Sequence, residues 1–212
     1  MPFTLHASPG SCSLAPHVVL EEIGRPFKLA MISTDRGEAR TPEFKRINPK
    51  GRVPVLVDGE FQLTEAPAIL LHLAQTGPGL SLMPSGEDGL IRAVEWFNWL
   101  SGAVHAVAVR MIWRSEYFTA SAFDTEPIKS KGFEHLAMAH DMIEERMRGR
   151  AWVVGNAYSV VDPYLLVFYR WGNRMKIDMQ AKYPAWSEHA LRMAQRDAVK
   201  RAIATEGISL WE

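Results

Sequence analysis

The chain has 212 residues, and its 24 basic side chains equal its 24 acidic ones, so the formal net charge is zero. This balance argues against a nucleic-acid partner, which would require a strongly basic face. A single cysteine excludes an internal disulfide and a CxxC redox or zinc motif, so we expect no metal and a reducing compartment.

No part of the sequence has the pattern of a membrane or export segment. The stretch MPFTLHASPGS lacks the basic and apolar regions of a signal peptide. No run approaches the roughly 20 apolar residues of a membrane span. We therefore expect a soluble, cytoplasmic protein with no membrane partner.

The first part of the chain alternates short strands with a helix. FTLH (3–6) has the alternation of a strand, a helix is predicted over 12–23 and ends at Gly24, and PFKLAMIS (26–33) is predicted as the next strand. Because a helix crosses between them, the two strands should be parallel. VPVLVDGEFQLTEA (53–66) predicts a hairpin that turns at Asp58-Gly59.

The pattern then becomes helical. A helix is predicted over 66–76 and ends at Gly77-Pro78, and GPGLSLMPSGEDG (77–89) indicates a linker. The run at 160–171 is apolar nearly all round and predicts a helix inside a bundle, and a last helix is predicted over 187–204. Two further helices show apolar spacings of three and four, at Trp96, Leu100, Ala103, Val107 and Met111 and at Leu136, His140, Ile143 and Met147. We therefore predict an α/β domain over 1–78, a linker over 79–89 and an all-helical domain over 90–212.

Cys12 lies between a Ser-Pro-Gly turn and the first predicted helix. At a helix start it would feel the positive end of the helix dipole and unpaired N–H groups, which favour the thiolate and lower the thiol pKa from about 8.5. The alternative is a small buried apolar side chain, the usual environment of a lone cysteine.

NPKGRVPVL (48–56) places Pro54 at the start of a strand, where a missing N–H group is tolerated. We predict a cis Val53-Pro54 bond, which would turn the Val53 backbone outward to pair with a peptide-like ligand. An ordinary proline at a strand start is the alternative.

LTEAPAI (63–69) marks another helix start. The N–H groups of Glu65 and Ala66 can hold a carboxylate there, and the Glu65 side chain can take an ammonium group, so together they could grip a free α-amino acid end. Alternatively, Glu65 only offsets the helix dipole.

In YSVVDPYLL (158–166), Asp162 and Ser159 form a capping box that serves folding.

In this combination and order, SPGSCSLAPHVVLEE, INPKGRVPVL, LTEAPAIL and YSVVDPYLL resemble the glutathione transferases over essentially the whole chain. The nearest class is the bacterial beta class, whose signature is a cysteine at the end of the first strand. The resemblance implies a thioredoxin-like domain joined to a helical bundle, a homodimer, and glutathione as co-substrate.

The resemblance also implies roles for particular residues. The cysteinyl part of glutathione would pair with Val53 beside cis Pro54, and its γ-glutamyl end would meet Glu65 and Ala66. Its sulfur would lie near Cys12, which in that class can form a mixed disulfide with glutathione. His105, in GAVHAVAV, matches a histidine of the helical domain near the sulfur, and a satisfied core histidine is the alternative.

The chain departs from the class pattern at several positions. Ala106 stands where the class usually has a lysine that reaches the glutathione of the neighbouring subunit, so that contact is lost. A lysine in the loop after the second strand is absent, and Arg36 is its expected replacement, with Arg52 a further glutathione-binding candidate. His6 stands where the class commonly has a tyrosine.

A glutathione transferase must hold the glutathione sulfur as a thiolate, which requires a hydrogen-bond donor or a positive dipole. Ser11 and Cys12 are the candidate donors, with His105 as a third catalytic candidate. The acceptor pocket should lie between the domains. Its candidate lining residues are His6, Arg110, Trp113 and Trp171, although tryptophans at helical spacing are more often core residues.

We therefore expect conjugation of glutathione to small hydrophobic electrophiles, a detoxification reaction, with thiol–disulfide chemistry at Cys12 as a side activity. One alternative is a binding or regulatory protein that keeps the fold with little turnover, which the missing lysines favour. Another is an isomerase or reductive dehalogenase with the same cradle. The presence of Cys12, Val53-Pro54 and Glu65 favours the transferase.

Overall fold

The computed structural model describes residues 2–76, 82–84 and 86–212 as a four-stranded sheet followed by a helical bundle. Strand β1 (Phe3–Ala7), helix α1 (Leu14–Ile23) and strand β2 (Phe27–Met31) form a crossover unit. β1 and β2 are parallel, as predicted.

A hairpin completes the sheet. Helix α2 (Pro42–Ile47), which the sequence pattern did not predict, leads to β3 (Val55–Asp58) and β4 (Phe61–Thr64). The hairpin is confirmed, but its register pairs the last residue of β3 with the first of β4, so the turn lies one residue later than predicted. The strand order is β2-β1-β3-β4, and β3 is antiparallel to both of its neighbours. Helix α3 (Ala66–Thr76) follows.

The two faces of the sheet have different partners because side chains alternate along a strand. Phe3, Leu5 and Ala7 of β1 are buried in the main core together with α1 and α3. The opposite face carries a small separate cluster in which Phe44 of α2 packs with Val55. The helical bundle lies on the α1 side, since α1 contacts two of its helices.

The bundle begins with α4 (Gly89–Trp99), a π-helical segment (Leu100–Val109) and α5 (Arg110–Trp113). The remaining helices are α6 (Thr125–Met147), α7 (Val161–Arg174), α8 (Met179–Lys182), α9 (Pro184–Ala194) and α10 (Asp197–Glu206). Every residue of α7 from Val161 to Gly172 is buried, which confirms the predicted central helix. The predicted buried positions of α6 are confirmed as well.

Two helix predictions are wrong in detail. In the π-helical segment, hydrogen bonds join residues five apart, so the buried side chains are Leu100, Val104, Ala108 and Val109, and Val107 is exposed. The helix predicted over 187–204 is two helices, because the backbone of Arg196 is extended. Its guanidinium bonds Glu22 of α1 and stacks on the ring of Tyr158.

The predicted bond from the Ser159 N–H back to Asp162 is confirmed, but the N-cap residue of α7 is Val160 and not Ser159. Asp162 accepts the N–H of Ser159 at 2.7 Å, and it also accepts the N–H of Val153 and a hydrogen bond from His189. The predicted helix end at Gly77-Pro78 lies outside the described residues, as do residues 79–81 and 85 of the predicted linker. No helix in the described part of the chain is long and apolar enough to cross a membrane.

Candidate active site

Cys12 lies in the turn between β1 and α1, two residues before the first helical residue. Its side chain is buried, and the residue is 8% exposed. The Sγ atom donates to the carbonyl oxygen of Val53, which precedes β3, at 3.7 Å. The thiol therefore lies against the backbone that the sequence predicted as the ligand-binding edge.

The prediction of an acidic Cys12 thiol is wrong. Burial raises the thiol pKa to about 12, because the thiolate would lose its hydration, and the negative charge of Glu65 acts in the same direction. The N–H of Cys12 and the positive charge of Arg52 oppose this rise without cancelling it. The helix start thus has a weaker effect than desolvation.

The hydroxyl of Ser11 belongs to the turn. Ser13 Oγ donates to the carbonyl of Ser8 at 3.2 Å and accepts the N–H of Ser8. Ser11 Oγ lies 2.7 Å from Ser13 Oγ and accepts the N–H of Ser13. Because the Ser13 proton is used on Ser8, the Ser11 hydroxyl donates to Ser13, and the predicted donation from Ser11 to a ligand sulfur is not what this geometry shows.

The helical bundle binds both the N–H and the carbonyl of Gly10. Its N–H donates to Glu206 of α10 at 2.7 Å, and its carbonyl accepts from Arg170 and from the Trp171 indole of α7. Its φ is 65°, and a Cβ there would lie 2.4 Å from Arg170 Nη1. Glu206 also bonds His17 Nδ1 at 2.8 Å. The turn that carries Cys12 is therefore fixed by α7 and α10.

The Val53-Pro54 bond is cis, as predicted. Pro54 is buried, Val53 is half-buried, and the carbonyl of Arg52 is held by the side chain of Asn48 at 2.6 Å. Among the described residues, the N–H of Val53 has no hydrogen-bond partner. This backbone edge can pair with a peptide-like ligand.

Glu65 occupies a strained position immediately before α3. Its φ is 72°, a left-handed conformation that a residue with a side chain rarely adopts and that is often found at functional sites. Its carboxylate is 65% exposed and lies 2.6 Å from Lys50 Nζ. Ala66, the first residue of α3, is buried, and Pro67 after it has no N–H group, so the donors at this helix start are few and defined.

His105 lies on the helical side, in the π-helical segment. Its ring centroid is 4.7 Å from that of Trp171 and 6.4 Å from that of Phe168. Burial lowers the pKa of His105 to about 4, with further lowering by the positive charges of Arg110 and Arg52. The imidazole is therefore neutral at pH 7.

Tyr164 and Ser101 were not identified from the sequence. The Tyr164 hydroxyl lies 2.9 Å from Ser101 Oγ, and burial raises its pKa, as does the nearby thiol of Cys12. Tyr164 is 1% exposed. The signal in the sequence was a tyrosine within an apolar run, since a buried tyrosine hydroxyl needs a partner.

The residues predicted to line the acceptor pocket do not share one environment. Arg110 begins α5, and its backbone N–H donates to the carbonyl of His105, which fixes both residues in one π-helical turn. Trp113 packs against Trp171, with the two ring centroids 5.4 Å apart. Trp171 is 4% exposed, and its indole N–H donates to the Gly10 carbonyl. Its ring packs against His105 and does not line an open pocket.

Two predicted site residues have other partners within the first domain. His6 projects from β1 onto the α2 face of the sheet, where its ring meets that of Phe44 at 5.9 Å, so strand alternation excludes it from the face that carries α1. Arg36 pairs with Glu38 at 2.8 Å on the surface, with 76% of its side chain exposed. Within the described residues, no three metal-ligating side chains are grouped as a metal site requires.

Comparisons with known proteins agree with this geometry. The model of the glutathione S-transferase N-terminal domain matches residues 1–75, and that of the C-terminal domain matches residues 103–197. A glutathione S-transferase of Xanthomonas campestris pv. campestris is 29% identical over 212 residues, which cover 97% of this chain and 99% of that protein.

Two solved structures are similar over nearly the whole chain. A sphingomonad glutathione S-transferase complexed with glutathione is 34% identical, with a TM-score of 0.82, and covers 97% of this chain and 100% of its own. The bacterial beta class glutathione S-transferase of Sphingomonas chungbukensis is 29% identical, with a TM-score of 0.82 and the same two coverages, 97% and 100%. With both domain models matched in order, the chain belongs to the glutathione S-transferase family.

Proposed function

We propose that the protein conjugates glutathione to small electrophiles, with residues 1–78 as the glutathione-binding domain, 79–89 as the linker and 90–212 as the helical domain. The observation that carries the proposal is the meeting of three features at one place. The Cys12 thiol contacts the carbonyl of Val53, and the negative charge of the strained Glu65 acts on the same thiol.

Backbone groups of the first domain would hold the peptide part of glutathione. The N–H of Val53 would pair with the cysteinyl unit as an added strand. The N–H of Ala66 at the start of α3 would hold the α-carboxylate, and Glu65 would take the ammonium group. The Lys50 pair does not prevent this, because an exposed carboxylate keeps further acceptor positions and an exposed ion pair is weak.

Cys12 would act as a neutral hydrogen-bond donor. With its pKa near 12 it keeps its proton at pH 7, and on binding of glutathione the S–H would turn from the Val53 carbonyl to the glutathione thiolate and stabilise it. That sulfur then forms a bond to the electrophilic carbon, the leaving group departs with its electron pair, and the glutathione proton passes to solvent. Thiol–disulfide exchange at Cys12 would be the minor activity, since exchange requires the thiolate.

Calorimetric titration with glutathione tests the binding site. Glu65→Ala should weaken glutathione binding by about 1–3 kcal/mol through loss of a charged hydrogen bond. Glu145→Ala is the matched control, because Glu145 also forms an exposed ion pair, with Arg148, and its side chain is 69% exposed. No heat at millimolar glutathione, or equal binding by wild type and Glu65→Ala, would contradict the proposal.

The same proposal includes a cytoplasmic homodimer. A lone thiol suits a reducing compartment. Apolar side chains on β4 and at the start of α4 are exposed, with Phe61 at 50%, Leu90 at 48% and Ile91 at 66%, and a second copy is the partner that would cover them. Light scattering should give twice the monomer mass for the wild type and the monomer mass for Ile91→Glu. A monomeric wild type would refute the dimer.

A further inference from the structure

Two arginines of the first domain and one at the start of α5 have no acidic partner among the described residues. Arg40 ends a short turn before α2, Arg52 precedes Val53, and Arg110 begins α5. Among the described residues, no carboxylate lies within 4.0 Å of any of the three guanidinium groups. Arg110 is half-buried, and an uncompensated positive charge at such a position is costly, which makes it informative, whereas Arg40 and Arg52 are exposed.

Neighbouring arginines are neutralised. Arg114 lies 3.4 Å from Asp35, and Arg174 lies 4.0 Å from the other oxygen of the same carboxylate. Arg36 pairs with Glu38. Arg114, Arg174 and Arg36 thus have acidic partners, whereas Arg40, Arg52 and Arg110 have none among the described residues.

Tyr117 brings two of these arginines together across the domains. The guanidinium carbon of Arg110 lies 5.1 Å from the centroid of the Tyr117 ring, and that of Arg40 lies 5.8 Å from it. Arg40 also donates to the Tyr117 hydroxyl at 2.5 Å. We call Arg40, Tyr117 and Arg110 the arginine–tyrosine cluster.

The cluster adjoins His105 through Arg110, whose N–H donates to the His105 carbonyl. Arg110 is one π-helical turn from His105, whose pKa is lowered first by burial and then by the charges of Arg110 and Arg52. Burial, followed by the charge of Arg52, also lowers the pKa of Arg110 itself. Glutathione brings two carboxylates, of which one is assigned to the start of α3 and the other has Arg52 beside the Val53 edge. Arg40 and Arg110 are left for a third anionic group.

We propose that the arginine–tyrosine cluster binds a carboxylate of the acceptor, so that the preferred electrophiles are small unsaturated or aromatic acids. The inference rests on the proposed conjugation of glutathione. A carboxylate would accept hydrogen bonds from Arg110 and Arg40, and its flat apolar part would lie beside the ring of Tyr117.

A matched pair of acceptors tests the proposal, namely 4-chloro-3,5-dinitrobenzoate and its uncharged methyl ester. In both, the glutathione sulfur forms a bond to the ring carbon, chloride leaves with its electron pair, and the thiol proton passes to the buffer. The measured quantity is the ratio of kcat/KM for the acid to kcat/KM for the ester. In Arg110→Gln this ratio should fall roughly 10- to 100-fold, the range for a lost charged hydrogen bond, whereas Arg110→Lys should keep most of it.

Arg114→Gln is the control, because Asp35 already neutralises Arg114, and its ratio should match that of the wild type. Arg40→Gln, on the other domain, should lower the ratio in the same direction, which covers the case in which Arg110→Gln does not fold. High salt should weaken the preference for the acid in the wild type.

Three outcomes have distinct meanings. An unchanged ratio in both Arg110→Gln and Arg40→Gln overturns the acceptor subsite. An equal loss with both acceptors, together with weaker glutathione binding, assigns the cluster to glutathione and also overturns it. Failure of the wild type to conjugate either acceptor or to bind glutathione refutes the proposed function instead.

Discussion

The starts of α1 and α3 have the same potential chemistry and different surroundings. Each exposes the positive end of a helix dipole near a candidate ligand-binding residue, Cys12 before α1 and Glu65 before α3. At α1 the serine side chains of the turn use one another as partners, and the bundle covers the turn through Gly10. At α3 the Glu65 carboxylate is exposed and the donors are few.

A helix start therefore does not by itself create an anion site. Desolvation at Cys12 exceeds the stabilisation that the helix dipole supplies, which is typically 0.3–1 kcal/mol, or roughly less than one pKa unit. The start of α1 therefore holds a neutral donor, and the start of α3 remains available to an anion. The four predictions below test this distinction in order of expected effect.

The largest effect concerns the reactivity of Cys12. With a pKa near 12, the native thiol should react with iodoacetamide at pH 7.5 at least about 1000-fold more slowly than the same thiol in denaturant, because only the thiolate reacts. Mass spectrometry counts the single adduct over time. Rapid alkylation of the native protein with a midpoint below pH 8 would show that the Cys12 thiol is acidic and would contradict the raised pKa.

Gly10→Ala should destabilise the α1 start. The substitution combines a positive φ with a contact against Arg170, and we expect a loss of about 2–4 kcal/mol in the free energy of unfolding. Gly24→Ala is the control, since Gly24 has a φ of 68° and open space around its Cβ position, and should lose only about 1 kcal/mol. Urea denaturation measures both, and equal losses would show that the clamp on Gly10 adds nothing.

Alkaline pH should weaken the fold through Cys12. Its folded pKa, about 12, exceeds the unfolded value, so its contribution is fully present below about pH 8.5 and is lost as pH rises toward 12. Between pH 8.5 and 10 the free energy of unfolding of the wild type should fall by about 2 kcal/mol more than that of Cys12→Ser, in which position 12 does not titrate. Parallel stability curves for the two proteins would contradict the raised pKa.

Glu65→Gly should separate strain from function at the α3 start. Glycine adopts a positive φ without cost, so the free energy of unfolding should stay equal or rise by about 1 kcal/mol. Glutathione affinity should fall as in Glu65→Ala. A loss of stability in Glu65→Gly would mean that the carboxylate is held there for the fold and not for a ligand.

The first domain was largely predictable because its signals are local. The hairpin turn, the proline that opens β3 and the LTEAPAI helix start act within a few residues of the chain, and each is found close to its predicted place. His6 was misplaced because it was assigned by its position in the family pattern, whereas the alternation of FTLH puts Phe3 and Leu5 on one face and His6 on the other.

The helical side was less predictable because its features depend on distant contacts. The π-helical segment changes which residues between Leu100 and Val109 are buried, and no local pattern marks it. Glu206 reaches Gly10 from 196 positions along the chain, and Tyr117 meets Arg40 across 77. Such pairs are formed by docking of the two domains, and spacing along the sequence cannot indicate them.

The most direct test of the account is the ionisation of glutathione in its complex with the protein. Ultraviolet absorbance follows the thiolate against pH, with S-methylglutathione as a non-ionising control that reports only Cys12. We expect the pKa of the bound glutathione sulfur to lie well below its value in solution in the wild type and in Cys12→Ser. In Cys12→Ala the pKa of the bound sulfur should return toward that value by about one unit or more. The same low value in Cys12→Ala, or a thiolate signal from Cys12 itself with S-methylglutathione near pH 7, would contradict the assignment of Cys12 as a neutral donor.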